Sequence, residues 1–138
     1  RRGLRSVDGV RRLSAPGPAA VIPIPMGIPA ATHQAAADAI KALGNYVSVH
    51  TGAGGGTTGA NEATGGSYTR KPSVLTSGTG GVVTGSTVNV PVVAGTYTEG
   101  GLNSAATAGT FVGSAPFAGG SIVVNGTGVS IDLSVTWS

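Results

Sequence analysis

Hydrophobic and polar residues alternate along most of this chain beyond residue 44. The closing stretch GVSIDLSVTWS, residues 128–138, predicts a single strand with Val129, Ile131, Leu133, Val135 and Trp137 inward. Ser130, Asp132, Ser134 and Thr136 then face outward. STVNVPVV at 86–93 sets Val88, Val90 and Val92 on one face, and NYVSVHT at 45–51 sets Val47 and Val49 opposite Tyr46, Ser48 and His50. SYTRKPSVLT at 67–76 predicts a strand that Pro72 confines to an edge or a bulge. GTYTEGGLN (95–103), GTFVGSA (109–115) and SIVVNG (121–126) complete the set. Short Gly-rich turns without intervening helices imply antiparallel pairing. Two packed layers are the economical way to bury one face of each strand. The expected fold is therefore mainly β, an antiparallel β-sandwich or jelly-roll-like domain over residues 31–138, with no fixed-period internal repeat.

The period changes upstream of Gly44. THQAAADAIKALG predicts one helix over 32–43, with Thr32 as N-cap and Gly44 as the C-terminal stop. Ala36, Ile40 and Leu43 form its apolar stripe, and Asp38 and Lys41 lie outside it. Before the helix, APGPAAVIPIPMGIPA carries Pro16, Pro18, Pro23, Pro25 and Pro29. Each proline drives its predecessor out of the helical region, so residues 1–30 read as an extended arm. Val21, Ile22, Ile24, Met26 and Ile28 are too apolar for a free linker. They predict a groove on the chain's own body or on a neighbour, and the neighbour is favoured.

Composition sharpens this picture. The 138 residues hold 25 Gly, 9% charged and 4% aromatic residues, which is poor helix material and good material for short strands and tight turns. A surface so short of charge has little to keep copies apart, and self-association is expected. No cysteine is present, so disulfides and thiolate metal sites are ruled out. The net charge of +3 is unevenly held. Arg1, Arg2, Arg5, Arg11 and Arg12, offset by Asp8, give residues 1–12 a charge of +4 and leave −1 on the rest. Such an arm suits nucleic acid, a membrane or an acidic protein face. The body has no basic stripe with interleaved aromatics, which disfavours nucleic acid. The apolar run at 19–31 is short and broken by Pro23, Pro25 and Pro29, so no membrane span is expected.

Residues 54–59, GGGTTG, match the G-x-G-x-x-G dinucleotide fingerprint in form. The fingerprint needs a helix after the glycines to present its N-terminus to a pyrophosphate, and the sequence continues instead into a turn and a strand. The glycines read as a loop tip. His33 and His50 stand apart from each other, and Asp8, Asp38, Glu62, Glu99 and Asp132 are scattered singly, so no metal site or cofactor is expected. His50 is expected to be a hydrogen-bonded structural residue. No G-x-S-x-G elbow or paired carboxylates suggest catalysis, and no enzymatic activity is expected.

Tyr46 to Gly52, Thr58 to Gly66, and Ser67, Tyr68 and Arg70 carry a further signal. Together with AGTYTEGGLNSAATAGTFVGSAPF at 94–117 and the closing GVSIDLSVTW, this pattern resembles a family of small tailed-phage virion structural proteins, including those of actinobacterial phages. The resemblance spans roughly residues 33–138. Members are commonly labelled tail-fibre, minor tail or virion structural proteins, and the resemblance implies no enzymatic activity. It also implies a structured turn at Asn61 and Glu62, with Gly65 and Gly66 reversing the chain. Residues 1–30 and the expanded glycine loop depart from the family pattern. The expectation is a capsid decoration protein on the virion surface, its body a homo-oligomer and most naturally a trimer, its arm (residues 1–30) bound to the major capsid protein. The alternatives are a minor tail or tail-fibre-type protein bound to tail proteins and, from a different class, a carbohydrate-binding β-sandwich module.

Overall fold

The computed structural model describes residues 23, 26–53 and 58–138. Among the described residues one helix, α1 (Ala30–Lys41), precedes eleven short strands. These are β1 (Tyr46–His50), β2 (Lys71–Pro72), β3 (Leu75–Ser77), β4 (Val83–Gly85), β5 (Val88–Val92) and β6 (Gly95–Tyr97). They continue with β7 (Glu99–Asn103), β8 (Phe111–Pro116), β9 (Ile122–Val124), β10 (Val129–Leu133) and β11 (Thr136–Trp137). The chain is mainly β, and every strand pair is antiparallel.

The strands form four small sheets. A four-stranded sheet has the order β2-β1-β7-β8, a three-stranded sheet the order β11-β4-β3, and β5–β10 and β6–β9 are two-stranded ribbons. One apolar cluster joins three of them. Val47, Val49 and Leu102 come from the large sheet, Val88, Val90, Val92 and Ile131 from β5–β10, and Tyr97 and Val124 from β6–β9. The alternation of 86–93 survives intact, since Val88, Val90 and Val92 are all buried. Pro72 lies on β2, an edge of the large sheet, where its missing N–H breaks no ladder.

Three long alternating runs divide where sequence alone predicts continuous strands. Residues 67–76 break at Ser73, whose N–H donates to the Asn45 carbonyl and whose hydroxyl donates to the Ser86 carbonyl. The chain thereby leaves one sheet (β2) and enters another (β3). Residues 95–103 divide into β6 and β7, which also belong to different sheets. The closing run divides into β10 and β11, because Val135 offers its carbonyl to the Gly85 N–H and the chain turns to pair with β4. Of its five expected inward residues only Ile131 is fully buried, and Val129 is exposed. β4 itself, three residues between Val82 and Ser86, is too short to register as alternation.

The helix corrects two further expectations. It starts at Ala30 with Pro29 in the N-cap position, and Thr32 lies inside its first turn. Proline suits a helix start because the first N–H groups have no intrahelical acceptor. The expected apolar stripe is not the buried face: Ile40 and Leu43 are 42% and 59% exposed, and Ala37 is the buried residue. Docking runs through polar side chains instead. Gln34 donates to the Val82 carbonyl and accepts from the Gly81 N–H, and Ser77 of β3 donates to Asp38.

Candidate functional sites: the glycine loop, a sealed polar cluster and an apolar groove

The loop that carries the glycines leaves β1 after His50 and returns at Glu62. An antiparallel bridge joins those two residues. The Thr51 N–H donates to the Asn61 carbonyl, and Asn61 Nδ2 donates to the Ala53 carbonyl. Asn61 holds a left-handed φ of 58°, a conformation that asparagine tolerates better than most residues. No helix follows, so no N-terminal dipole faces the glycines. Gly54, Gly55 and Gly56 lie outside the described residues.

Beyond Asn61 the turn is held by one carboxylate. Arg70 donates to Glu62 through Nε at 2.7 Å and through Nη2 at 2.6 Å, a two-pronged pair in the geometry that suits guanidinium and carboxylate. Tyr68 Oη donates to the same carboxylate at 2.8 Å and accepts from the Val49 N–H. Arg70 Nη1 reaches across to the Ala105 and Ala108 carbonyls. The Arg70 hydrogen bonds hold the Glu62 carboxyl below its ordinary range despite its partial burial. Burial, followed by the bond to Glu62, pushes the Tyr68 hydroxyl well above the usual phenol range. Gly65 and Gly66 both take positive φ, 90° and 58°, and reverse the chain into Tyr68. The four turn residues singled out from sequence thus sit together, and Arg70 and Tyr68 complete the unit.

A second polar group lies inside the large sheet. Ser48, His50 and Asn103 are buried. His50 Nδ1 lies 2.8 Å from the Ala60 carbonyl, which only accepts, so that nitrogen carries the proton and Nε2 accepts from the Ser48 hydroxyl at 2.9 Å. Asn103 Nδ2 donates to Ser48 Oγ at 2.8 Å. A serine hydroxyl on an oriented imidazole is the start of a nucleophile–base pair. Here it is sealed: a Cβ added at Gly101 would lie 2.5 Å from both the His50 ring and Ser48 Oγ. No substrate atom fits where a methyl does not. The pair locks β1 to β7 and to the loop, and His50 is the hydrogen-bonded structural residue expected. Among the described residues no three metal-ligating side chains converge, and no helix is long and apolar enough to cross a membrane.

Of the expected arm contacts, Arg1, Arg2, Arg5, Arg11, Arg12, Val21, Ile22 and Ile24 lie outside the described residues. Met26 and Ile28 are described, and they are 82% and 53% exposed. The body carries an apolar groove of about 570 Å³ between two strand edges. Val112 and Phe117 come from β8 and the residue after it, Leu133, Val135 and Trp137 from β10 to β11, and Ile40 from the helix. β8 is the outer strand of the large sheet and β11 the outer strand of the three-stranded one. The Trp137 indole N–H is buried without an acceptor among the described residues. Nothing in the sequence joins residues 112–117 to 133–138, and only the topology reveals this groove.

Comparison with protein-family models, with curated proteins and with solved structures returns no match.

Proposed function

We propose that this chain is a non-enzymatic structural protein of a tailed-phage virion, a capsid decoration protein that binds neighbouring subunits through its N-terminal arm. One observation carries the reading. The polar side chains that resemble reactive sites, Ser48–His50 and Glu62–Arg70–Tyr68, spend their hydrogen bonds inside the fold, whereas Met26 and Ile28 stand in solvent. Exposed apolar side chains beside prolines favour association, because the stiff segment loses little entropy when it is ordered. The resemblance of residues 33–138 to small virion proteins supports the same reading. The arginines at 1–12 would pair with acidic capsid loops.

The test uses purified particles that lack the protein. The full chain and a variant without residues 1–28 are each labelled at the C-terminus, added to particles, and located by negative-stain electron microscopy. The expected result is label on capsids for the full chain and none for the truncated one, with circular dichroism showing the truncated body folded. Full capsid decoration by the truncated body would overturn the role of the arm, and label confined to tails would move the protein to the tail.

A further inference from the structure

We infer that the groove between β8 and β11 is the seat of residues 22–28 from a second copy of this chain, added as a strand to the outer edge of β8. This goes beyond the virion reading and does not rest on it: it assigns Met26 and Ile28, whose exposure favours association, to a neighbouring copy, a contact that forms without any capsid and leaves only the arginines to bind one. It places the apolar half of the arm on the oligomer and leaves the arginines for another partner.

Three features of residues 22–28 fit that seat. The first is side-chain parity. In an extended strand alternate side chains share a face, so Ile22, Ile24, Met26 and Ile28 make one continuous apolar face. That face matches a groove lined by Val112, Phe117, Leu133, Val135 and Trp137.

The second is proline parity. Alternate residues also point their N–H and C=O groups to the same edge of a strand. Pro23 and Pro25 share one parity, so the missing donors all lie on one edge, and Ile22, Ile24, Met26 and Ile28 keep theirs on the other. Such a strand pairs on one side and blunts the other. It can complete β8 without seeding further strands.

The third is length. β8 has six residues, about 20 Å of strand, and residues 22–28 span about 23 Å.

The donor is a second copy because the geometry of one chain works against self-insertion. Ile40 lines the groove near the C-terminal end of α1, whereas the arm leaves from the opposite end at Pro29. The ten residue steps from Ala30 to Ile40 rise about 15 Å. An arm doubling back over that distance uses about five residues. Residues 24–28 would then be spent outside the groove, and residues 17–23, GPAAVIP, would enter it instead, without Ile24, Met26 and Ile28. Met26 and Ile28 are correspondingly exposed in the single chain.

Because the natural chain contains no cysteine, single cysteines report the contact cleanly. Full-length Met26→Cys and full-length Ala115→Cys are mixed and oxidised mildly, and the products are separated on a non-reducing gel. The expected product is a mixed disulfide dimer, formed at least tenfold faster than the dimer in a mixture of Met26→Cys with the remote Thr79→Cys. In parallel, the sedimentation of the wild-type chain is compared with that of Gly113→Phe and of Ile24→Asp/Met26→Asp. A Cβ at Gly113 meets nothing within 4 Å, so Gly113→Phe fills the groove without disturbing the strand. Both variants are expected to weaken self-association at least tenfold. The emission of Trp137, the only tryptophan, should shift to the red when copies part. A wild-type chain that is monomeric at micromolar concentration overturns the inference. So does self-association that Gly113→Phe leaves unchanged, or a Met26→Cys/Ala115→Cys double variant that closes only within one chain. Circular dichroism of the Gly113→Phe variant separates a blocked groove from a failed fold. If that variant is unfolded, the cysteine pairs and the arm variant decide alone.

Discussion

Glu62 receives hydrogen bonds from Tyr68 and Arg70 and bridges through its backbone to His50, so a single side chain closes the base of the glycine loop. Replacing Glu62 with Gln keeps the size and removes the charge that two guanidinium N–H groups address. Bonds to charged groups are worth about 1.5–3 kcal/mol, and the partly exposed pair here places the expected loss near the lower end, about 1.5 kcal/mol. Thermal or urea unfolding of Glu62→Gln measures it. The pH dependence follows from the lowered carboxyl. A carboxylate whose folded pKa lies below its unfolded value of about 4.5 adds stability that is complete above that value and disappears as pH falls through the folded one. Wild type should therefore lose stability on acidification below about pH 4.5 more steeply than Glu62→Gln does, as chemical unfolding at a series of pH values would show. Parallel curves would remove Glu62 as the cause.

At the scale of elements, legibility depended on whether a segment kept one partner along its length. β5 pairs with β10 throughout, Val88 to Leu133 and Val92 to Val129, and its alternation could be read directly. The closing run alternates just as cleanly, yet its last residues pair with β4, because periodicity records which face is apolar and not which strand lies alongside. The helix shows the same limit. Its stripe of Ala36, Ile40 and Leu43 reads as a core face, but the surface it meets is the Gly- and Ser-rich β3–β4 hairpin. That hairpin offers the Gly81 N–H, the Val82 carbonyl and the Ser77 hydroxyl, and Gln34 and Asp38 answer them. Docking should accordingly be more sensitive to Gln34→Ala than to Leu43→Ser. The first leaves the N–H of buried Gly81 without its acceptor and is expected to cost about 1–2 kcal/mol. The second alters an exposed side chain and is expected to stay within about 0.5 kcal/mol. Hydrogen exchange of the α1 amides separates the two, and equal protection in both variants would restore the apolar stripe as the docking face. The candidate turn at 61–66 was legible because its residues are local in sequence. The groove was not, because its walls meet only through the sheet order.

For the whole molecule, charge and apolar surface are divided along the arm, and the two halves should respond to different conditions. Residues 1–12 carry +4 and the remaining chain −1, while the proline-stiffened apolar run Val21, Ile22, Ile24, Met26 and Ile28 lies downstream of the arginines. Attraction between the arginines and an acidic surface is screened over about 10 Å at 0.1 M salt. Burial of Ile22, Ile24, Met26 and Ile28 is not screened, and added salt leaves it unchanged or strengthens it. On the proposed capsid-decoration reading, a full-length chain with all five arm arginines changed to Ser should therefore keep its oligomeric state while its binding to virions falls at least tenfold. Raising salt from about 0.05 M to about 0.5 M should have the same effect on the wild-type chain. Sedimentation reports the first quantity, and co-pelleting with particles the second. If removing the arginines dissociates the oligomer, charge and not the apolar strand holds the copies together. If particle binding is unmoved by either change, the arginines have no part in attachment, and the contact with the virion must be sought on the nearly neutral β body.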